Sequence, residues 1–330
     1  MPALYNTTTT ATELVSNYAP LIKGKTILAT GVTPGTLGGF YVQTIASAKP
    51  ANLILAGRNS TKLEQCAQAI TASNPEVKTC ILQVDFSSLT SVRDAAKQVN
   101  SWDDIPVIDV LVNNAGIMAV EYKVSEDGVE SQFATNHLGP FLFTNLVMGK
   151  VLKSDAPRVV MVTSDGHRLS PVRFCDYNFD GGKTYNKWFA YGQSKTANML
   201  MALSLANKLG VRHGLQAFSL HPGVIITTGL GTHLDWENTD MEGLLSTDRM
   251  LGNAEGWKKG FSPKTLDQGV ATHVYASFDP SIKSNNGAYL IDSHVADPLE
   301  DTVKAWAISS FEAERLWKLS ESLVGQSFPY

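Results

Sequence analysis

A tyrosine and a lysine lie one helical turn apart in the segment Tyr191-Gly192-Gln193-Ser194-Lys195. Residues four positions apart share one face of a helix, so the phenol and the ammonium group are neighbours. A free phenol has a pKa of about 10 and moves protons poorly at neutral pH, but a nearby cation favours the phenolate. Lowering this pKa by roughly 2–3 units requires about 3–4 kcal/mol. The pattern predicts Tyr191 as an acid/base and Lys195 as the group that lowers its pKa.

Two further polar residues are placed where they can assist this pair. Ser164 follows a predicted strand, and its hydroxyl can bind a substrate oxygen. Asn136 lies in a long predicted helix and can hold a water that relays protons to Lys195. Pro140 removes one backbone donor from that helix, which should free a carbonyl near Asn136. The predicted catalytic residues are therefore Asn136, Ser164, Tyr191 and Lys195.

A glycine-rich turn, Thr30 to Gly39, links the first predicted strand to the helix Phe40–Ala48. Glycines in such a turn let backbone N–H groups approach a pyrophosphate at the positive end of the helix. The strand before the turn and the helix after it are the context in which this motif binds a dinucleotide. The predicted contacts are Gly31, Thr33, Gly35, Leu37 and Gly38.

The end of the second predicted strand indicates which dinucleotide is bound. NAD enzymes usually place an acidic side chain here for the ribose 2′-hydroxyl, but no acid lies between Ala56 and Thr61. Arg58 and Lys62 lie there instead. Because a guanidinium fork suits a 2′-phosphate, the sequence predicts NADPH/NADP+ rather than NADH.

The ends of later strands carry the remaining predicted cofactor contacts. An acid and the following backbone N–H can hold adenine, and small residues let the backbone run close to a planar ligand. A proline-glycine turn after the sixth strand can meet the nicotinamide carboxamide. These contacts are Asp85, Phe86, Asn113, Ala115, Gly116, Pro222, Gly223, Val224 and Thr227, and both Tyr191 and Lys195 also face the cofactor.

The elements that must position these residues alternate along the chain. Apolar runs typical of buried parallel strands are Thr26–Ala29, Leu53–Ala56, Thr79–Val84, Val107–Val112, Arg158–Thr163, Leu215–Leu220 and Ala288–Ile291. Amphipathic stretches between them predict the helices Thr61–Ser73, Ser88–Ser101, Val129–Leu152, Tyr191–Leu209 and Pro263–Ser277. The alternation predicts an α/β protein with a Rossmann-type, doubly wound, seven-stranded parallel sheet flanked by helices in a single domain.

The same pattern divides the chain into an N-terminal extension (1–23), a catalytic domain (24–298) and a C-terminal helical tail (299–330). Long loops follow the fifth and sixth strands, at the sheet edge where ligands bind, and a substrate loop is predicted at about 223–262. Their aromatic residues either line a bulky apolar pocket or pack within the loops. They are Tyr177, Phe179, Tyr185, Trp188, Trp236 and Trp257.

Composition narrows the class of protein further. The chain has 330 residues and a formal net charge of -4, which argues against a nucleic-acid partner. Its three cysteines have neither disulfide-framework nor metal-ligand spacing, so we expect no metal. No apolar run reaches the roughly 18–20 residues of a membrane span, and the first residues show no secretory signal. A cytoplasmic location is expected, and homo-oligomers remain open.

In order and spacing, the glycine turn, Asn113-Asn114-Ala115-Gly116, Asn136, Ser164, the Tyr191/Lys195 pair and Pro222-Gly223 resemble the short-chain dehydrogenase/reductase family. The resemblance covers roughly residues 24 to 292. It implies that Tyr191 is the acid/base, Ser164 positions the substrate, Lys195 binds ribose and tunes the tyrosine, and Asn136 serves the relay.

Within this family, three stretches of the sequence are similar to the retinol dehydrogenase and WW-domain oxidoreductase branch, and to its fungal members. The stretches that carry this likeness are residues 132–139, 164–168 and 197–200. One departure lies in the glycine turn, where two residues separate Gly35 and Gly38 instead of the family's usual one.

The function expected from these residues is hydride transfer between NADPH and a ketone or aldehyde, or the reverse, on a bulky apolar substrate. One alternative is a nucleotide-sugar epimerase or dehydratase, which shares the Tyr-Lys spacing; Asn113 to Gly116 and Asn136 argue against it. Another is a cofactor-binding regulator. Such a protein typically lacks the tyrosine or the lysine, and both are present here.

Overall fold

The computed structural model describes residues 5–253 and 262–330, and a mixed sheet forms its centre. Strand order across the sheet is β3-β2-β1-β4-β5-β6-β7-β8. The first seven strands are parallel, and β8 pairs with β7 in the antiparallel direction. The strands are β1 Thr26–Thr30, β2 Asn52–Gly57, β3 Lys78–Gln83, β4 Val110–Asn113, β5 Arg158–Val162, β6 Gln216–His221, β7 Tyr289–Ile291 and β8 His294–Val295.

The seven predicted parallel strands are confirmed, with ends shifted by a few residues, and the sheet has one strand more than predicted. β8 has two residues, too few to produce a period in the sequence. A two-residue turn joins it to β7, and both turn residues, Asp292 and Ser293, have positive φ angles of 48° and 59°. That conformation is typical of a tight hairpin, whose usual signal is an Asn-Gly or Asp-Gly pair.

Helices cover both faces of the sheet. Strand residues contribute alternately to two apolar layers, so that Leu28 and Ile54 lie in one layer and Ile27 and Leu53 in the other. The α-helices are α1 Ala11–Ile22, α2 Leu37–Ala46, α3 Ser60–Ser73, α4 Leu89–Ser101, α5 Ser131–Phe133, α6 Gly139–Val151, α7 Lys187–His213, α8 Asp240–Met250, α9 Leu266–Phe278 and α10 Ser310–Val324.

The predicted helix Val129–Leu152 contains a wider turn around Asn136. Between α5 and α6, residues Ala134–Leu138 form a π-helical segment, and Gly139 N donates to Ala134 O five residues back. Pro140 has no N–H, so the i→i−4 bond to the Asn136 carbonyl cannot form. The predicted disturbance is confirmed, and π-turns of this kind are frequent at functional sites.

The two terminal segments contribute to the core. Helix α1 lies within the predicted N-terminal extension, and it buries Leu14, Val15 and Ile22 in the layer that contains α2 and α9. Helix α10 lies within the predicted C-terminal tail and buries Leu316 and Trp317 in the opposite layer. Both helices thereby extend the core beyond the region that carries the motifs.

If α1 is part of the cooperative core, replacing Leu14 by alanine should destabilise the whole protein. Leu14 is 0% exposed and Leu21, in the same helix, is 43% exposed. We expect Leu14→Ala to lower the free energy of unfolding by about 2–5 kcal/mol, and Leu21→Ala to lower it by less than about 1 kcal/mol. Urea unfolding followed by circular dichroism measures both; equal small losses would show that α1 is only peripherally attached.

Candidate active site

The predicted site residues converge at the carboxyl ends of the adjacent strands β1 and β4. The connections that leave these two strands run to opposite sides of the sheet, which opens a crevice between them. In such sheets this crevice is the usual place for ligand binding. A cavity of about 570 Å³ opens there, with Ser164, Tyr191 and Lys195 among its lining residues. A larger, open and polar depression near Ser88 and Asp94 contains none of the predicted site residues.

Tyr191 and Ser164 are brought together by α7 and the end of β5. The helix begins one turn earlier than predicted, because the Asn186 side chain caps it by accepting from Trp188 N at 2.8 Å. The Ser164 side chain lies close enough to the Tyr191 hydroxyl to lower its pKa. Gly166 N donates to Ser164 Oγ at 3.0 Å, and the hydroxyl pair therefore has a fixed place on the cavity wall.

Gly166 is a site residue that sequence reasoning missed. A Cβ atom at this position would lie 2.8 Å from Cε1 of Tyr191, closer than side chains tolerate. The absence of a side chain lets the tyrosine ring lie flat against the backbone next to Ser164. Its only sequence signal is a glycine two residues after the candidate serine.

Burial dominates the electrostatics of the acid/base pair. It raises the pKa of Tyr191 to about 12, while the polar Ser164 side chain acts in the opposite direction. Burial also lowers the pKa of Lys195 to about 8. In the protein without cofactor, desolvation thus outweighs the neighbours of the tyrosine. The predicted lowering of its pKa, which also counts on a cationic nicotinamide ring, stays a prediction.

Lys195 lies beneath the tyrosine and next to the backbone of two strands. Its Nζ is 5.5 Å from the centroid of the Tyr191 ring and donates to Val162 O at 3.3 Å. A Cβ atom on Gly116 would be 3.4 Å from this Nζ and 3.1 Å from Asn136 Oδ1. Gly116 thus separates the lysine from Asn136 by the width of one backbone.

All polar atoms of the Asn136 side chain form hydrogen bonds to neighbouring segments of the protein. Its Nδ2 donates to Ile117 O and to Ser194 Oγ, both at 2.9 Å, and its Oδ1 accepts from Ile117 N at 2.8 Å. A water for the predicted relay must then bind the Asn136 backbone carbonyl, which Pro140 leaves without its helical donor. The amide side chain positions that carbonyl.

The glycine turn is packed tightly against the end of β4. Gly31 has a φ angle of 71°, and a Cβ atom there would lie 2.7 Å from Ala115 Cα. A Cβ atom on Gly38 would lie 2.6 Å from Asn114 Nδ2. The Asn114 amide donates to Thr30 O at 2.9 Å, so this residue, absent from the predicted contacts, fixes the turn.

The opposite side of the turn is open and fits a phosphate group. A Cβ atom on Gly35 would have no neighbour within 4 Å. Thr33 O accepts from Thr36, whose side chain caps α2 by accepting from Gly39 N. The N–H groups of Leu37 and Gly38 have no partner among the described residues. Unpaired donors at a helix N-terminus are the chemistry that binds a pyrophosphate.

Arg58 and Lys62 follow β2, next to this turn. Both are exposed, and neither side chain forms an ion pair within the described parts of the chain. Their backbones are fixed: Gln83 Nε2 donates to Arg58 O at 3.1 Å, and Asn59 Oδ1 accepts from Lys62 N at 3.0 Å. Two available cations therefore border the phosphate end of the predicted cofactor site.

Asp85 and Phe86 lie after β3, as predicted. Of the two side chains, only that of Asp85 keeps an atom available for a cofactor. Asp85 Oδ1 accepts from the backbone and hydroxyl of Ser87 at 2.9 and 2.7 Å, which leaves Oδ2 available. The Phe86 ring is buried and packs edge-on against Phe143 at 5.7 Å. A contact from Phe86 to a cofactor would therefore be through its backbone.

Among the other predicted cofactor contacts, Pro222, Gly223 and Val224 line the cavity. Two more side chains point elsewhere. The Asn113 amide is buried and donates to Thr144 Oγ1 at 2.9 Å. Thr227 is exposed, while its neighbour Thr228 lines the cavity.

Most of the remaining wall is apolar and comes from the predicted substrate loop. Trp188 and Trp236 line the cavity with ring centroids 5.8 Å apart. Phe179 and Tyr185 pack together outside it, as does Tyr177 against Phe133, and Trp257 lies outside the described residues. Leucines and methionines from the loop and α8 complete the wall: Leu230, Leu234, Met241 and Leu244.

A buried ionic cluster connects α8 to Ser164, and sequence reasoning missed it. Arg168 binds both carboxylate oxygens of Asp248, each at 2.9 Å. Its third nitrogen donates to Asp165 Oδ2 at 2.6 Å, and Ser164 Oγ donates to Asp165 Oδ1 at 3.2 Å. The partners Arg168 and Asp248 are 80 residues apart, and no local pattern joins them.

The described residues contain no group of three or more His, Cys, Asp or Glu able to hold a metal ion. Within the same ranges, 5–253 and 262–330, no helix combines the length and the apolar character needed to cross a membrane.

A doubly wound sheet, an open glycine turn and a Ser-Tyr-Lys cluster at the strand ends define an oxidoreductase that uses a nicotinamide cofactor. Residues 25–238 match the family described as short chain dehydrogenase. The chain belongs to the short-chain dehydrogenase/reductase family.

Individual relatives agree with this membership. The chain is 35% identical to the short-chain dehydrogenase TIC 32 A, chloroplastic, of Brassica napus over 90% of its own length and 88% of that protein. It is 32% identical to human retinol dehydrogenase 14 over 92% and 88% of the two chains. The crystal structure of an uncharacterized Mycobacterium paratuberculosis protein superposes with a TM-score of 0.69 at 28% identity, covering 94% of this chain and 96% of that one.

Removing Asp248 should destabilise the protein far more than removing an exposed acid from the same helix. The Arg168 and Asp248 side chains are 7% and 1% exposed, whereas Arg249 and Glu242 are 52% and 65% exposed. We expect Asp248→Asn to cost about 3 kcal/mol, the lower end for a broken buried pair, because Asp165 still binds Arg168. Glu242→Gln should cost less than about 1 kcal/mol.

Chemical denaturation of both variants tests the cluster. If Asp248→Asn unfolds at the same urea concentration as Glu242→Gln, the ionic bridge does not stabilise α8.

Proposed function

We propose that this protein is an NADPH-dependent oxidoreductase that reduces the carbonyl group of a bulky, apolar ketone or aldehyde to an alcohol, or catalyses the reverse. The observation that carries the proposal is the grouping of Ser164, Tyr191 and Lys195 on the wall of a largely apolar cavity beside the glycine turn. This arrangement holds a proton donor and a hydrogen-bond donor at one point where a substrate oxygen can bind.

In reduction, the carbonyl carbon gains a hydride and the carbonyl oxygen gains a proton. The bound nicotinamide cofactor supplies the hydride. Ser164 donates a hydrogen bond to the carbonyl oxygen, and Tyr191 gives up its hydroxyl proton to that oxygen as the alcohol forms. Lys195 stabilises the resulting phenolate, and a water on the Asn136 carbonyl returns a proton through the lysine. Oxidation of an alcohol follows the same steps in reverse.

Burial keeps Tyr191 in its protonated form. With its pKa raised to about 12 by burial, Tyr191 is a neutral phenol at physiological pH, which is the form that reduction needs. Lys195, with its pKa lowered to about 8 by burial, is near its titration range and can exchange a proton with water. A positive nicotinamide ring next to the phenol would favour the phenolate and so assist the reverse reaction.

Support for NADPH comes from Arg58 and Lys62 and from the lack of an acid beside them. A 2′-phosphate binds two available cations favourably, whereas the 2′-hydroxyl of NADH gives neither of them a charged partner. Helix α2 offers the pyrophosphate the unpaired N–H groups of Leu37 and Gly38.

We also propose a cytoplasmic location. The support is chemical: Cys66, Cys80 and Cys175 are all free thiols, which persist most readily in a reducing compartment.

Replacing Tyr191 by phenylalanine should remove the proton donor and leave the cavity intact. We expect kcat for carbonyl reduction to fall by about 10²–10⁴-fold, while NADPH binding and thermal stability change little. NADPH consumption with a panel of ketones, aldehydes and quinones measures the activity, and fluorescence titration measures binding. Should the wild type and the variant oxidise NADPH equally slowly with every compound while still binding it, the proposed activity is wrong.

Replacing Arg58 by alanine should change the choice of cofactor. Loss of a charge-assisted bond predicts a Kd for NADPH about 10–100-fold higher, with a change of less than about threefold for NADH. Arg212→Ala, an exposed arginine near the C-terminal end of α7, is the matched control and should alter neither affinity. If Arg58→Ala weakened the binding of NADPH and of NADH equally, Arg58 would not be the residue that binds the 2′-phosphate.

A further inference from the structure

A carboxylate lies beside the catalytic hydroxyl pair and faces the cavity. Asp165 directly follows Ser164, lines the cavity, and its side chain is 32% exposed there. Its Oδ1 accepts from Ser164 Oγ at 3.2 Å, and its Oδ2 accepts from Arg168 at 2.6 Å. The proposed mechanism uses Ser164 and leaves this carboxylate without a role.

The carboxylate is held in its charged form. Although burial opposes ionisation, Arg168 above all, and then His221 and His167, hold the pKa of Asp165 below its usual range. Arg168 does not cancel this charge at the cavity, because its other two nitrogens bind Asp248. Among the described residues, this one arginine is therefore shared between two carboxylates, Asp165 and Asp248.

Asp165 also keeps room for another hydrogen bond. A carboxylate offers about four acceptor sites, and Oδ1 has one long bond from Ser164 and His221 Nε2 at 3.9 Å. Among the described residues of the cavity lining, Lys195 and Arg168 are the lysine and the arginine. Nζ of Lys195 donates to Val162 O, and Arg168 is bound to the two carboxylates. A hydroxyl group entering from the cavity would therefore find an anionic acceptor at Oδ1.

We propose that Asp165 is a specificity-determining residue, and that the substrates are carbonyl compounds with a hydroxyl group on the adjacent carbon, or the corresponding vicinal diols. When Ser164 turns its one hydroxyl proton from Asp165 to the substrate carbonyl oxygen, Asp165 Oδ1 becomes free to accept from the neighbouring hydroxyl. Two oxygens on adjacent carbons are about 3 Å apart, close to a hydrogen-bond length, and Ser164 Oγ and Asp165 Oδ1 are separated by 3.2 Å.

The same charge excludes a different class of carbonyl compound. In an α-keto acid the adjacent group is a carboxylate, which would lie against Asp165 and be repelled in a cavity of low polarity. The remainder of the wall, including Trp188 and Leu244, suits an apolar substituent. The inference depends on the proposed carbonyl reductase function and adds the group that is recognised beside the carbonyl.

Three compounds of equal carbon number test this preference: acetophenone, 2-hydroxyacetophenone and phenylglyoxylate. For the wild type with NADPH we expect kcat/KM for 2-hydroxyacetophenone to exceed that for acetophenone by about tenfold or more, and phenylglyoxylate to be the poorest. Asp165→Asn should bring the first ratio close to one and raise the relative rate with phenylglyoxylate. Glu242→Gln, which removes an exposed acid from α8, should leave the wild-type ratios unchanged.

A measurement on the wild type alone covers the case in which Asp165→Asn does not fold. As competitive inhibitors, 1-phenyl-1,2-ethanediol should bind about tenfold more tightly than 1-phenylethanol. A wild type that treats both members of each pair alike, or reduces none of the three compounds, overturns the inference, as does a folded Asp165→Asn that keeps the wild-type ratios. Reduction of other ketones in the wider panel would then leave the carbonyl reductase function standing, so the two failures are distinguishable.

Discussion

The structure depends on how closely two backbones approach at the carboxyl ends of the adjacent strands β1 and β4. Thr30, the last residue of β1, accepts from the N–H groups of Asn114 and Ala115 through its hydroxyl, both at 3.0 Å. The Asn114 amide returns a bond to Thr30 O. Because Gly31 has no side chain, nothing separates the two strands. The glycine turn and the floor of the cavity are thereby joined into one unit.

Burial shifts the pKa values of the titratable groups in this unit, and it also makes their charged forms costly. Desolvation raises the pKa of Tyr191 and lowers that of Lys195, so the protein alone keeps the phenol protonated and the lysine near its titration range. Ionised groups remain in the cavity wall only where partners compensate for their lost hydration. Arg168 has two carboxylates for this purpose. Through Asp248 it also anchors α8, the helix that forms part of the apolar wall.

Much of the fold and of the central site was predictable from local pattern. The seven parallel strands follow from continuous apolar runs, and a disturbance of the helix near Asn136 follows from Pro140. Strand β8 was not predictable, since two residues have no period. The cluster of Arg168 with Asp248 was not predictable either, because its partners are 80 residues apart and meet only after the substrate loop has folded back over the cavity.

By itself, the sequence determined the order of strands and helices, the spacing of Tyr191 and Lys195, and the absence of an acid beside Arg58. These features depend on residues that are neighbours in the sequence, and local steric and hydrogen-bonding preferences determine them. Only the tertiary structure decided the direction of the Tyr191 pKa shift, the engagement of the Asn136 amide, and the position of the Asp165 carboxylate in the cavity. Desolvation and charge pairing depend on which distant residues surround a group, and the order of residues along the chain does not specify those surroundings.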